Sequence, residues 1–183
     1  RELFNNVSSN EFPILVKVIK SKEPTSIKVH PNDEYAAIHE NSLGKTIGWL
    51  VLETGEKSEL ILGIKAKSKK ETVDLFKSHH MKDIVNIVKP EVGDFFPIYA
   101  GTVHGLGPDT LVLEVMESSD ASYRIYDYDR PNVKGDRDLL LEQALEVITF
   151  GTEITKSHNY FAQDRQMVDL WRNPYFDVSL LNV

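Results

Sequence analysis

The first half of the chain is written largely in alternation. In FPILVKVIK, residues 12–20, Ile14, Val16 and Val18 fall on one face of a strand and Leu15, Lys17 and Ile19 on the other. The turn SKEPT leads into SIKVH, residues 26–30, where a period of two gathers Ser26, Lys28 and His30 on one face, with Ile27 and Val29 behind them. HPNDEYAAIHENSLG predicts a turn and a short helix ending near Gly44. TIGWLVLET, residues 46–54, predicts a third strand with Ile47, Trp49 and Val51 on one face.

Ser68-Lys69-Lys70-Glu71 is a capping box that opens a helix running to about Lys77, and a shorter helix is expected over Met81–Val85. VGDFFPIYAGTVHGL, residues 92–106, reads as strand, turn and strand with the bend at Gly101, and TLVLEVMES, residues 110–118, alternates cleanly. SYRIYDYDR, residues 122–130, is a further strand, followed by the polar loop PNVKGDRD. Leu140, Leu141, Ala144, Leu145 and Ile148 recur at helical spacing over residues 138–149. The chain closes on YFDVSLLNV, a strand with no partner after it. Many short strands and few helices predict an all-β sandwich or barrel rather than βαβ units. Residues 1–150 form the expected main domain. Residues 151–183 are expected to be a linker and the first strand of a second, incomplete β domain.

Composition narrows the partners. The 183 residues suit one domain, or one domain and a fragment of another, and 41% hydrophobic with 27% charged residues is a soluble, globular composition. A net charge of −7 argues against nucleic acid or an anionic membrane as the main partner, but leaves room for an anionic small substrate held by local Lys and Arg. With no cysteine, any metal must be held by His, carboxylate, amide or water. No apolar run approaches the ~20 residues of a membrane span. RELFNNVSSNEF lacks a signal peptide's apolar core, so the Asn6-Val7-Ser8 sequon is read as chance and the location as cytoplasmic. The chain opens on Arg1 rather than Met, as a processed or cut chain does.

GDFFPIYAGTVH, residues 93–104, sets a Gly-x-x-His turn behind a strand. Alone this reads more readily as a hairpin with a surface histidine than as a metal motif. Its spacing also resembles the second metal motif of cupins, jelly-roll barrels in which that histidine projects into the barrel mouth; Tyr99 stands where the motif usually has Pro. FPILVKVIKSKEPTSIKVHPNDEYA, LGKT, AGTVH and SSDASYRIYDYDR follow one another in an order that closely resembles type I mannose-6-phosphate isomerases of the short bacterial kind, and the helix ending in LEVI continues the likeness. The resemblance implies an all-β fold, a cupin-like jelly-roll β-barrel with a few short helices. It implies an aldose–ketose isomerase that interconverts mannose 6-phosphate and fructose 6-phosphate through a cis-enediol with one zinc ion. It also implies further sequence before Arg1 and a second barrel after about Phe176.

Carried over residue by residue, the resemblance implies a metal site that this chain keeps in part. The family's Ser-x-Gln-x-His-Pro strand supplies Gln and His ligands; here the histidine is His30 but the glutamine position is Lys28. The ligand Glu after Gly-Lys-Thr is Ile47, while the Gly-Thr-x-His ligand is present as His104. Lys28 lies roughly 7 Å from His30 along a strand face, where an ammonium repels a divalent cation. Substitute ligands are His39, Glu40, Glu53 and Glu114, of which Glu114 is preferred because its strand follows the His104 turn directly.

Lys17, Ser26, Lys45 and Arg124 match the family's polar pocket, with Lys45 and Arg124 in catalytic positions and Lys17, Ser26 and Lys28 as substrate-binding residues. Asp127, Asp129 and Arg130 are assigned to pairing at a strand end, Asp120 to a turn, and His79-His80 to the surface. Lys28 is a candidate to stabilise developing charge. The base is open between His30 and His104, whose unperturbed pKa of ~6.5 suits the task. Two functions follow: a zinc isomerase with rearranged ligands, or a metal-free sugar-phosphate-binding or inactive paralogue. In either, a sugar phosphate is the partner, and no residue pattern sets an oligomeric state.

Overall fold

A computed structural model describes residues 12–77, 81–131, 138–151, 154–156 and 166–181. Within them the chain forms β1 (Ile14–Ser21), β2 (Ile27–Val29), α1 (Asp33–His39), β3 (Ile47–Thr54), β4 (Leu60–Ile64), α2 (Lys69–Lys77), α3 (Met81–Ile84), β5 (Val85–Val88), β6 (Phe95–Ile98), β7 (His104–Leu106), β8 (Thr110–Glu117), β9 (Tyr123–Tyr126), α4 (Leu141–Val147), β10 (Met167–Arg172) and β11 (Asp177–Leu181). One sheet has the order β1-β8-β3-β6 and a second the order β5-β4-β7-β2-β9. The first eight strands therefore pair first with last and inward, β1 with β8, β2 with β7, β3 with β6 and β4 with β5, all antiparallel. That pairing is a jelly roll, and β9 extends its second sheet. Among the described residues no helix is long and apolar enough to cross a membrane.

The expected strands around residues 14–21, 27–29, 47–54 and 110–117 are present. The segment at 92–106 is not a hairpin: β6 and β7 lie in different sheets, and the chain crosses between them at Gly101, whose φ of 85° suits glycine. β9 stops at Tyr126 because Tyr128 and Asp129 take left-handed conformations. β4 and β5 were not expected. The tail holds two strands instead of one, since the final strand β11 pairs back on β10. This hairpin packs Leu170 and Trp171 on Phe95 of β6, and the Trp171 indole donates to the Tyr99 hydroxyl at 3.0 Å. The Asn6 sequon, His79-His80 and most of the 131–137 loop lie outside the described residues.

Packing explains which face of each strand reaches the interior. Ile47, Trp49 and Val51 of β3 join Leu60, Leu62, Phe96, Leu106, Val112 and Met116 in a core between the sheets. Ile27 and Val29 of β2 point the other way, into a second cluster roofed by Ala144 of α4 and by Ile148. Ser26, Lys28 and His30 are thereby turned toward the first sheet.

Candidate active site

Two cross-strand rows build the site. In the second sheet Lys28 lies directly opposite His104 on one side and opposite Arg124 on the other. In the first sheet Glu114 lies opposite Lys17 and opposite Trp49. Residues directly opposite one another share a face, so each row presents its side chains together. The rows meet between the sheets, where the Trp49 and His104 rings contact edge-on with centroids 5.6 Å apart. His30 leaves the end of β2 beside them, 4.6 Å from His104 between ring centroids.

Loops fix the remaining members. Gly44 passes so close to the first turn of α1 that a Cβ would sit 2.4 Å from the Asn32 carbonyl carbon and from the Asp33 amide nitrogen. Its N–H donates to the Asp33 carboxylate at 2.8 Å and the Lys45 N–H to the Pro31 carbonyl at 3.0 Å. This packing seats buried Lys45 beside Glu114, Lys17 and Lys28, whose charges it feels. Gly101 donates to the His30 carbonyl at 2.8 Å and so ties the His104 turn to the end of β2. Arg124 Nε donates to the Ser26 hydroxyl at 3.1 Å, and Ser26 in turn donates to Asp127.

The electrostatics of the buried histidines follow from these neighbours. The His30 and His104 Nδ1 atoms each lie 2.9 Å from a backbone carbonyl, of Ala121 and Thr102 respectively. A carbonyl only accepts, so each Nδ1 carries the hydrogen and each Nε2 the lone pair. His104 Nε2 is buried and has no hydrogen-bond partner among the described residues. Burial, with the Lys28 and Lys45 cations, lowers the His104 pKa to about 3. Burial, then His104 and the same two lysines, holds His30 well below the ordinary histidine range. Both rings are therefore neutral acceptors at physiological pH, and the ~6.5 that made them candidate bases does not apply. Burial also lowers Lys28, against the pull of Glu114, and brings Lys45 down to about 8.

All eight residues singled out in the sequence as site residues gather here. Of the four expected substitute ligands, Glu114 is among them and the other three are not. His39 stacks on Tyr35, Glu40 accepts from the Tyr123 hydroxyl, and Glu53 pairs with Lys20. Glu114 accepts the Trp49 indole N–H at 2.7 Å. Among the described residues no three His, Asp or Glu side chains come together to hold a metal ion, so Glu114 does not complete a set with the histidines. A catalytic zinc takes three protein ligands and a water; two histidines beside Lys28 do not fit one. Asp127 pairs with Arg130 as expected, whereas Asp129 meets the Tyr126 hydroxyl instead. Trp49 is the member that sequence reading missed. Its place on the Ile47 face of β3 was visible, but its bond to Glu114 depends on register between distant strands.

A cleft of about 350 Å³ opens beside Ser26 and Arg124, lined also by Lys20, Lys22, Thr25 and Arg130. That volume lies within the range of small-molecule sites.

Comparison with known proteins agrees with this geometry. Residues 1–79 match the family model described as phosphomannose isomerase type I, catalytic domain. The chain is 37% identical over its whole length to mannose-6-phosphate isomerase ManA of Bacillus subtilis, of which it covers 59%. It is 36% identical to the mannose-6-phosphate isomerase of Streptococcus mutans, over 97% of this chain and 57% of that protein. The crystal structure of the mannose 6-phosphate isomerase from Bacillus subtilis superposes with a TM-score of 0.87 at 36% identity, over 98% of this chain and 58% of that one. The chain thus spans less than two thirds of the length of the curated relatives it matches.

Proposed function

The chain belongs to the type I phosphomannose isomerase family, and on that premise we propose that it carries the active site of an enzyme interconverting mannose 6-phosphate and fructose 6-phosphate. The observation that carries the reading is the convergence of Lys17, Lys28, Lys45 and Arg124 around one buried carboxylate and two neutral imidazoles. Cations suit a sugar phosphate: Arg124 can grip an anion bidentately, the lysines add point charges, and the Ser26 hydroxyl supplies a donor. The cleft beside Ser26 and Arg124 gives the phosphate end room.

Moving a proton between C1 and C2 through a cis-enediol needs a base and a group that offsets charge on the enediolate oxygen. His30 and His104 are held neutral and weakly basic, so Glu114 is the group that takes the proton. Trp49 orients it through the indole bond. The His104 Nε2 lone pair accepts a sugar hydroxyl, and Lys45 and Arg124 face the oxygens. Among the described residues no third ligand joins the two histidines for the family's zinc, and the proposed steps do not pass through it. A cytoplasmic location belongs to the same proposal, because a charged sugar phosphate does not cross an apolar bilayer unaided.

A coupled assay of the full-length protein tests this reading. Conversion of mannose 6-phosphate to fructose 6-phosphate, lost in Arg124→Ala, is the expected result. Tight binding of the sugar phosphate with no conversion contradicts it and supports the metal-free binding protein.

A further inference from the structure

The histidine pair is half of a metal site by its hydrogen bonding and the reverse of one by its surroundings. Each Nδ1 hydrogen is taken by a backbone carbonyl, the arrangement that leaves Nε2 to a ligand. Around those lone pairs, however, no third His, Asp or Glu joins the pair to hold a metal ion among the described residues. Ile47 is buried in the core beside Trp49, Ile98 and Met116. Glu114 turns one oxygen, Oε2, to the Trp49 indole N–H. Lys28 is the direct cross-strand neighbour of His104, shares its strand face with His30, and is attracted by Glu114.

We propose that the site works without a bound metal ion, and that the Lys28 ammonium supplies the positive charge at the oxygen of the developing enediolate. This deepens the isomerase reading and rests on it. As the C2–H bond breaks, Glu114 takes the proton and the electron pair moves into the C1–C2 bond, while the aldehyde oxygen gains negative charge. A Lys28 N–H bonds that oxygen. The proton then returns to C1, and the hydroxyl proton on O2 passes to O1 as the C2 carbonyl forms. An ammonium brings one charge and three donors. Between the sheets it acts where water screening is weak and where it needs no reorganisation as charge develops.

The test uses the full-length protein, its Lys28→Gln and Lys28→Met variants, and zinc itself. Expected is wild-type protein that retains no stoichiometric zinc after equilibration with excess zinc and desalting, with turnover indifferent to chelators. Lys28→Met is expected to lose about 100-fold in kcat with a smaller change in KM. Lys28→Gln, which exchanges the cation for an amide oxygen beside the histidines, is expected to bind zinc at least tenfold more tightly than wild type. One zinc per wild-type chain, turnover abolished by a chelator and restored by zinc, or unaltered kcat in a folded Lys28→Met variant overturns the proposal. If the wild type shows no turnover at all, the isomerase reading fails separately. The zinc titration then decides whether Lys28 keeps metal out: equal zinc affinity of wild type and Lys28→Gln overturns that part too.

Discussion

The turn between β3 and β4 and the histidine pocket both bury polar side chains, but only one of them is complete. At the turn, the Ser58 hydroxyl accepts from the Gly55 N–H and donates to the Asp109 carbonyl, both at 2.7 Å, and the Gly55 N–H also reaches that carbonyl at 2.9 Å. Donors and acceptors there use one another up, which is what a polar group in a core needs to avoid a desolvation cost. In the pocket, His104 Nε2 is left without a partner among the described residues, and two half-buried or buried lysines sit at lowered pKa beside it. Incomplete polar satisfaction costs stability and is kept where a ligand completes it. The difference separates scaffold from site more sharply than burial does.

The largest effect expected from breaking this contrast is on the pocket side. Glu114→Gln keeps an acceptor for the Trp49 indole but removes the base, so turnover should fall about 1,000-fold with the melting temperature little changed. A variant that retains turnover would move the base elsewhere. Lys45→Met should raise KM for the sugar phosphate on the order of tenfold, with the same direction for phosphate as a competitive inhibitor.

On the scaffold side the effect should be on stability alone. Ser58→Ala removes the hydroxyl's two hydrogen bonds while the Gly55 N–H still serves the Asp109 carbonyl, and should cost about 1 kcal/mol in urea denaturation while leaving kcat and KM unchanged.

A pH titration sharpens the same contrast. Lys45 loses its proton at about 8 in the folded protein against an ordinary 10.5, so its cation disappears as pH rises past about 8. The kcat/KM profile should fall there, and Lys45→Arg should keep it flat to higher pH. Between those two values the unfolded chain binds more protons at this site, so the Lys45 contribution to stability rises with pH while activity falls. The smallest effect is at the edge strand: Val18 is 65% exposed on β1, and Val18→Thr should change stability by under about 0.5 kcal/mol.

Much of this molecule could be read from its residues, for reasons that also explain the omissions. β1, β2, β3 and β8 carry a period of two, and the Ser26–Lys28–His30 face followed from it directly. β4 was missed because Leu60 and Leu62 point into the inter-sheet core while Ile61 and Ile64 meet the cluster under α4. A strand buried on both faces has no alternation to detect. β5 has four residues, too few for a pattern, and β10 carries an irregularity between Asp169 and Trp171 that breaks its period of two. The site residues were legible one by one through motif resemblance. Their rows across the sheets were not, because Lys28 facing His104 and Glu114 facing Trp49 are matters of register between strands more than 60 residues apart in sequence. The same holds for the lowered histidine pKa values, which come from burial and from Lys28 and Lys45, brought close by the fold.

The central claim is that this pocket moves a proton between adjacent carbons of a sugar phosphate. Its most direct test is proton exchange followed by NMR, with mannose 6-phosphate and the full-length protein in deuterated water. The account predicts fructose 6-phosphate in the spectrum together with deuterium at the carbon that receives the proton, both lost in Glu114→Gln. Mannose 6-phosphate that binds, with its signals shifted or broadened, but neither isomerises nor exchanges its C2 hydrogen would contradict the claim.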